Sequence, residues 1–324
     1  MNISTSSPLW VVTPYFNPCK YRSRWENFHN FRKQLRAPLL VVELEKTGNF
    51  DVSEDYGDIV LHLQGEDSIW QKERLINVGI AALPTHVKYV AWIDCDIIFE
   101  NEHWVDEAIA KLTRGADMVQ LFSSVMHQSK QQSIDNILIN PASSSALHEI
   151  GIAKYLSEGG SPFDSVGTSG VRYSPDLDNN SRKIKPAIGH AWAAPVDRKT
   201  SRQLYDANIV GGGDRVDLVP ILYRIDELKN FRPFSPAQYN HLHEWAAGRP
   251  SGRLDFVEGR IFHLWHGEFT NRQYNERHHI LRRHNFDPNR DIQLAPNGTW
   301  RWTDPEGQLA KEVAVYFRER REDG

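Results

Sequence analysis

Two aspartates one residue apart, Asp94 and Asp96, interrupt an otherwise apolar stretch of this 324-residue chain, VAWIDCDIIFEN at 90–101. Residues two apart in an extended backbone point to the same side, so the two carboxylates can converge. Carboxylates held close together repel each other and are costly to desolvate. A hard divalent cation relieves both costs, and oxygen ligands suit Mg²⁺ or Mn²⁺ with positions left open for a diphosphate. The spacing predicts a metal site, although an Asp-rich turn after a strand gives the same pattern.

The residues around this motif alternate between strand and helix patterns. Strands are predicted at 9–12, 38–44, 58–63, 87–93 and 116–122, and helices at 21–35, 67–84, 101–112 and 198–207. Such alternation predicts a layered α/β fold with a largely parallel sheet. In an open parallel sheet, ligands bind at the carboxyl ends of the strands, which is where Asp94 and Asp96 fall.

The composition excludes several classes of protein. A formal net charge of −4 argues against a protein built to grip nucleic acid non-specifically. The two cysteines, Cys19 and Cys95, are too few for a disulfide framework and lack metal-site spacing. Residues 1–7 carry no apolar signal core, and no run of about 18 apolar residues exists. We therefore expect a soluble protein of the cytoplasm, with no membrane span.

Four blocks, at 9–17, 69–99, 189–218 and 260–268, resemble the glycosyltransferase-A superfamily, most closely its β-1,4-galactosyltransferase and polypeptide N-acetylgalactosaminyltransferase branches. IWQKERLINVGIAAL (69–83) and YVAWIDCDIIF (89–99) are similar to the helix and the Asp-x-Asp strand of that family. LWVVTPYFN (9–17) is similar to its opening strand, whose following loop holds the nucleotide base. The segment 189–218, which contains GHAWAAP and GGGDRVDL, resembles the block whose acidic residues face the acceptor. RIFHLWHGE (260–268) resembles the strand whose histidine completes the metal coordination.

The resemblance implies a glycosyltransferase-A, Rossmann-like fold, in which helices flank a mixed, mostly parallel sheet. The expected organisation is a catalytic domain at 1–270, divided into a nucleotide-sugar half at 8–122, an irregular acceptor loop at 123–186, and an acceptor and metal half at 187–270. A basic C-terminal extension at 271–324 follows. A long irregular stretch in a compact domain is usually a lid or a binding loop.

The same resemblance implies the metal ligands. Asp96 is the direct ligand, because the second aspartate of the family's motif contacts the metal, and Asp94 shares the cation or binds the ribose. Either His263 or His266 completes the set, with His263 preferred, while a structural histidine is the alternative. One imidazole beside carboxylates suits Mn²⁺ better than Mg²⁺.

Donor contacts are implied at further positions: Thr13, Pro14, Tyr15, Lys72, Arg74 and Trp192. Lys72 and Arg74 would offset the phosphate charge from a helix beside the strand ends, unless they belong to a solvated helical face. Trp192 either stacks on a sugar ring or belongs to the core.

Asp214, which follows three glycines, is the predicted general base. It would take the proton of an acceptor hydroxyl in a single inverting displacement. Gly213 stands where the family has a glutamate, and Arg215 is an apparent insertion before Asp217. Either Asp214 or Asp217 therefore occupies the catalytic position, and a plain turn is the alternative.

These residues predict a metal-dependent transferase that moves a sugar from a nucleoside diphosphate, a UDP-sugar by resemblance, to a saccharide or other hydroxyl acceptor. The arginine-rich run at 272–290 keeps a transferase acting on hydroxylated bases in DNA as an alternative. Ten tryptophans keep a non-catalytic carbohydrate-binding protein as another. A nucleotidyltransferase is disfavoured, because no glycine precedes Gly48 and such enzymes carry a glycine-rich phosphate loop after the first strand.

Overall fold

The computed structural model describes residues 5–139, 148–161, 186–196, 204–222, 233–247, 252–273 and 276–324. Within these ranges the strands form a seven-stranded sheet, a four-stranded sheet and a two-stranded sheet. The strands are β1 (Leu9–Phe16), β2 (Leu39–Glu45), β3 (Ile59–Gln64), β4 (Tyr89–Ile93), β5 (Ile97–Phe99), β6 (Met118–Gln120), β7 (Ser124–His127), β8 (His148–Ile150), β9 (Ala191–Pro195), β10 (Leu254–Phe256), β11 (Arg260–His263), β12 (Ile292–Leu294) and β13 (Trp300–Trp302).

The large sheet has the strand order β10–β6–β9–β4–β1–β2–β3. Its neighbouring strands run parallel except β9, which is antiparallel to both β4 and β6. β2 is buried along its whole length, and β1 is buried over its first five residues, as strands covered on both faces should be. The mixed α/β fold with a mostly parallel central sheet confirms the predicted fold class.

Helices cover this sheet and surround the site. They are α1 (Arg22–Gln34), α2 (Lys72–Ala82), α3 (Trp104–Thr113), α4 (Ile134–Ile139), α5 (Ile152–Ser157), α6 (Gly213–Asp217), α7 (Val219–Leu222), α8 (Pro236–Ala246), α9 (Glu276–Arg283), α10 (Pro288–Asp291) and α11 (Gln308–Glu319). α2 packs Leu75 and Ile76 into the core cluster that contains Val12 and Val42 of the sheet. None of the described helices is long and apolar enough to cross a membrane.

The small sheet differs most from the expectation. Residues 123–186 were expected to be irregular, but β7 and β8 pair with each other there, and α4 and α5 flank them. Residues 140–147 and 162–185 lie outside the described residues. The strand order of this sheet is β5–β11–β7–β8, so the strand that follows Asp96 and the strand that ends at His263 are neighbours.

Two helix boundaries also differ from the prediction. The predicted helix at 67–84 begins only at Lys72, because the preceding residues bond elsewhere: the Trp70 amide donates to the Ile209 carbonyl at 3.0 Å. The predicted helix at 198–207 is not helical over 204–207, and its first six residues lie outside the described part. Asn77 ties that segment to α2, with its side chain bonded to both the amide and the carbonyl of Leu204.

The predicted basic extension folds onto the rest of the chain. α9 and α11 pack around a core cluster that includes Ile69 and Tyr205. The Gln71 side chain bonds to both the carbonyl and the amide of Trp300, at 2.9 and 2.6 Å. The C-terminal residues therefore reach the amino end of α2, beside the candidate site.

Candidate functional site

The acidic motif is the connection between the two sheets. β4 ends at Ile93, whose carbonyl accepts a 2.6 Å hydrogen bond from the Thr13 hydroxyl of β1. The Asp94 amide donates to the His190 carbonyl, and the Asp96 carbonyl accepts from the Leu264 amide, each at 2.8 Å. These bonds fix the backbone on both sides of Cys95, so the carboxylates of Asp94 and Asp96 lie where the large and small sheets meet.

Asp96 converges with His263 and His266. Its Oδ2 is 3.1 Å from His266 Nε2 and 3.7 Å from His263 Nε2, and the two imidazole Nε2 atoms are 3.2 Å apart. These distances let one ion contact all three side chains, which form one of the two candidate metal clusters among the described residues. We call these three residues the histidine half of the site.

The electrostatics of the histidine half fit a divalent cation. Burial, assisted by the Asp94 charge, raises the pKa of Asp96 to about 7. Burial also lowers the pKa of His263 and His266 well below 6.5, so both rings are neutral, which is the form that binds metals. Asp96 Oδ1 is buried and has no hydrogen-bond partner among the described residues. A bound cation would offset the free-energy cost of burying this unpaired oxygen.

Asp94 belongs to a different cluster. The Lys72 ammonium lies 2.7 Å from Asp94 Oδ1 and 2.8 Å from Asp214 Oδ1, bridging the two carboxylates. Burial acts to lower the pKa of Lys72, but Asp214 and Asp94 outweigh it and hold that pKa well above 10.5. Burial raises the pKa of Asp94. We call Lys72, Asp94 and Asp214 the lysine half of the site.

Two glycines allow Asp214 to reach this position. Gly212 has φ of +85° and precedes α6, whose first turn contains Asp214. A Cβ on Gly189 would lie only 3.0 Å from Asp214 Oδ2, so the absence of a side chain permits this approach. Burial acts to raise the pKa of Asp214, but Lys72, with help from His190 and Arg277, holds it below 3.8. Asp214 is therefore ionised at neutral pH.

Asp217, the other predicted catalytic carboxylate, has a different environment. Its Oδ1 accepts a 2.7 Å hydrogen bond from the Tyr205 amide, so it anchors the segment before the glycines. Burial, together with the charge of Glu73, raises its pKa well above 3.8. Glu73 was not among the predicted site residues, yet burial raises its pKa to about 8 and its Oε1 has no partner in the described part of the chain.

The structure gives two predicted donor-binding side chains other partners. Arg74 is 3.1 Å from Asp206 Oδ2 and also donates to the Gly298 carbonyl. Trp192 is 1% exposed, and its Nε1 donates to the Ile188 carbonyl at 2.7 Å, so its ring presents no face to a sugar here.

The three predicted residues of β1 are largely covered as well. Thr13 is fully buried on Ile93, Tyr15 is 1% exposed, and Pro14 between them is half-buried. The Tyr15 hydroxyl donates to Asp51 Oδ2 at 3.3 Å. The side chains of Thr13 and Tyr15 are therefore covered by protein in this structure.

Three residues beside the histidine half were absent from the prediction. His127, Glu149 and His190 form the second candidate metal cluster among the described residues. His190 has φ of +83°, a strained conformation for a non-glycine residue, and burial lowers its pKa to about 3. The signal in the sequence that could have identified His127 is its place directly after the apolar residues Val125 and Met126.

The predicted basic run separates into a buried and an exposed part. Arg272 and Arg277 are 4% and 5% exposed, whereas Arg283 and Arg290 lie on the surface. Two of the exposed arginines are paired, Arg283 with Glu312 and Arg290 with the adjacent Asp291. Arg282, also exposed, has no ion pair among the described residues.

Two arginines outside that run bind Glu322. Arg24 and Arg320 both donate to this carboxylate, which is fully buried. Burial acts to raise the pKa of Glu322, but Arg24 and Arg320 together hold it far below 4.5. Arg272 and Arg24 also act to lower the pKa of Asp96, so the surroundings of the acidic motif are cationic.

Comparison with known proteins gives remote similarities only. No family model matches the sequence, and no curated protein matches it. Among solved structures, S. aureus TarS aligns with a TM-score of 0.41 and 11% identity over 86% of this chain and 68% of that one. Glucosyl-3-phosphoglycerate synthase from Mycobacterium tuberculosis, in complex with Mn²⁺, UDP and phosphoglyceric acid, aligns with a TM-score of 0.31 and 13% identity over 96% and 78%.

A third solved structure belongs to another reaction class. The 4-diphosphocytidyl-2C-methyl-D-erythritol synthase of Anaerococcus prevotii aligns with a TM-score of 0.32 and 11% identity over 78% of this chain and 88% of that one. With TM-scores below 0.5, none of these similarities transfers a function. The functional argument therefore depends on the residues of the site.

Proposed function

We propose that this protein is a metal-dependent glycosyltransferase that moves a sugar from a nucleoside diphosphate, a UDP-sugar, to an acceptor hydroxyl with inversion. One observation carries the proposal. The two aspartates of a single connection enter two different clusters, Asp96 with two neutral imidazoles and Asp94 with a lysine and a second carboxylate. A candidate cation site and a candidate base are therefore adjacent, as transfer from a nucleotide sugar requires.

In this proposal Asp96, His263 and His266 hold the ion. When bound, Mn²⁺ or Mg²⁺ would neutralise the charge that develops on the departing diphosphate. Two imidazoles in the ligand set favour Mn²⁺. Asp94 is left to bind the ribose or to share the cation.

Fixed cations complete the proposed donor site. Lys72 bridges the two carboxylates of the lysine half, and Arg24 and Arg272 add positive potential at Asp96. Such groups stabilise phosphate oxygens without reorganisation during the reaction. Arg74 and Trp192 remain predicted donor contacts, although both side chains have protein partners in this structure.

Asp214 is the proposed general base. It is ionised, Lys72 orients it, and Gly189 leaves its Oδ2 accessible from one side. It takes the proton of the acceptor hydroxyl while that oxygen bonds to the anomeric carbon and the bond from that carbon to the diphosphate oxygen breaks. Asp217 is the less suited alternative, because its Oδ1 is occupied by the hydrogen bond from the Tyr205 amide, which indicates a structural role.

A thermal-shift experiment tests the proposal and separates it from a carbohydrate-binding protein. We expect UDP and UDP-sugars to raise the melting temperature only when Mn²⁺ or Mg²⁺ is present. Donor turnover to free UDP should then follow for one of the sugars. A carbohydrate-binding protein would instead respond to free saccharides without nucleotide or metal, and that result would contradict the proposal.

A further inference from the structure

The small sheet places four polar side chains in a row. Its strand order is β5–β11–β7–β8, and Asp96, His263, His127 and Glu149 follow in the same order. His263 stands opposite His127 in the parallel pairing of β11 and β7. Glu149 stands opposite Val125, two positions before His127, so the carboxylate and the imidazole share one face of the sheet.

Polar contacts join each of these side chains to the next. His263 Nε2 lies 3.7 Å from Asp96 Oδ2, and His263 Nδ1 lies 3.0 Å from His127 Nδ1. His127 Nε2 in turn lies 3.2 Å from Glu149 Oε2. Both imidazoles are buried, and the Glu149 side chain is only 13% exposed. The row therefore runs from the candidate metal ligands into the interior of the small sheet.

If His263 binds a metal, only one distribution of protons over the ring nitrogens of this row is possible. A neutral imidazole that ligates through Nε2 carries its proton on Nδ1. The His263 Nδ1–H must then donate to His127 Nδ1, which has to be unprotonated. The His127 proton consequently sits on Nε2 and donates to the Glu149 carboxylate. The Glu149 carboxylate thus sets the tautomer of His127, and His127 in turn sets the tautomer of His263.

The second candidate metal cluster, His127, Glu149 and His190, is in conflict with this arrangement. A metal on His127 Nε2 would move the His127 proton to Nδ1. Two N–H groups would then face each other across the 3.0 Å between His127 and His263. Neutral imidazoles therefore allow an ion in one cluster or in the other, and not in both together. Each cluster contains a buried atom with no hydrogen-bond partner among the described residues, Asp96 Oδ1 and His190 Nδ1. A carboxylate oxygen is the costlier of the two to bury, which favours the histidine half.

We infer that Glu149 and His127 are positioning residues that hold His263 in its metal-binding tautomer, and that these two clusters together take one divalent ion. The inference rests on the proposed metal site and assigns a role to two residues outside it. Partners of this kind orient metal-binding imidazoles and increase their basicity, and their loss typically costs about 10–100-fold in metal affinity.

A Mn²⁺ titration followed by electron paramagnetic resonance tests the inference. We expect the wild-type protein to bind one Mn²⁺, and Glu149→Gln to bind it about 10–100-fold more weakly, because the neutral amide no longer holds the His127 proton on Nε2. Glu102→Gln is the matched control, since Glu102 is exposed, and its affinity should equal that of wild type.

A spectroscopic measurement separates positioning from general damage to the fold. In Zn²⁺-loaded protein, long-range ¹⁵N–¹H nuclear magnetic resonance should show His263 protonated on Nδ1 and His127 protonated on Nε2. In Glu149→Gln the His127 ring should lose its single tautomer, while the pattern of the backbone amide signals stays that of the wild type.

Three outcomes would overturn the inference. A second tightly bound ion in the wild type would make the second cluster a metal site. Equal Mn²⁺ affinity in wild type and Glu149→Gln would remove the positioning role. A wild type that binds no ion would remove both the inference and the metal site it rests on. If instead the expected affinities are found but no UDP-sugar turns over, the inference stands and the proposed function fails.

Discussion

The lysine half and the histidine half of the site deal with buried negative charge in opposite ways. In the lysine half, Lys72 lies within 2.8 Å of both carboxylates, so the protein supplies its own cation. In the histidine half, Asp96 faces two neutral imidazoles, and its pKa rises to about 7. Asp94 and Asp96 belong to one three-residue connection, yet Asp94 has a lysine as its partner, whereas Asp96 would gain more from a bound cation. In the proposed mechanism, this contrast lets one short motif contribute a residue to the metal site and another to the cluster that contains the base.

Removing Asp96 should have the largest effect. We expect Asp96→Asn to lose tight Mn²⁺ binding and to lower turnover of a UDP-sugar by about 10²–10³-fold, because metal stabilisation of the leaving group provides several kcal/mol. The exposed Asp106→Asn is the matched control. Full turnover by Asp96→Asn with both Mg²⁺ and Mn²⁺ supplied would remove the distinction between the two halves.

Asp214→Asn should act on turnover and leave the donor bound. We expect a decrease of about 10²-fold or more in kcat, because the amide cannot accept the acceptor's proton, while UDP binding with Mn²⁺ persists. Asp217→Asn is the comparison variant; its amide oxygen can still accept from the Tyr205 amide, so we expect kcat and the melting temperature to stay close to those of the wild type. If only Asp217→Asn lowered kcat, the base would have to be reassigned to Asp217.

Lys72→Met tests whether the Lys72 ammonium balances the negative charge of Asp94 and Asp214. Removing the ammonium leaves Asp94 and Asp214 unpaired, and we expect a loss of about 2 kcal/mol in the free energy of unfolding, discounted because both carboxylates are about a quarter exposed. Urea denaturation at pH 7 measures this loss. Lys33→Met, at an exposed lysine of α1, is the control.

The loss in Lys72→Met should depend on pH in a defined direction. Lys72 holds the folded-state pKa of Asp214 below 3.8, so its contribution is complete above that value. It disappears as pH falls through the lower pKa of the folded state, because a protonated carboxyl no longer attracts the ammonium. A difference between wild type and Lys72→Met that grew in acid would contradict this account.

Gly189→Ala should give the smallest effect. Its Cβ would lie 3.0 Å from Asp214 Oδ2, which requires a shift of a few tenths of an ångström. We expect a decrease in kcat of about tenfold or less, since small misplacements of a reacting group reduce the rate. The melting temperature and Mn²⁺ affinity should change little. An altered Mn²⁺ affinity would show that the two halves are coupled through this glycine.

The sequence alone was sufficient to predict the positions of residues that follow from the local pattern of apolar and polar side chains. The apolar run before Asp94 located the end of a central strand, and the fold class followed from alternating strands and helices. Lys72 was placed on the correct helix. Arg74 shares that helix, but residues two apart do not face the same side, so Arg74 meets Asp206 while Lys72 meets the carboxylates.

The small sheet could not be predicted from local pattern. Strands of three or four residues, such as β7 and β8, are too short to show periodicity. The partnership of His127 with His263 depends on which strands pair across 136 positions of sequence. Trp192 was ambiguous for a related reason: β9 lies inside the sheet, where both faces of a strand are covered.

The contact between Arg24 and Glu322 has a consequence for how the protein matures. The two residues are 298 positions apart, and Asp323 also accepts hydrogen bonds from the amides of Arg22 and Ser23 at the start of α1. During vectorial synthesis, the first helix leaves the ribosome long before the residues that fasten it. The position of Arg24, one of the cations that act on Asp96, is therefore set only after residues 322 and 323 have been made.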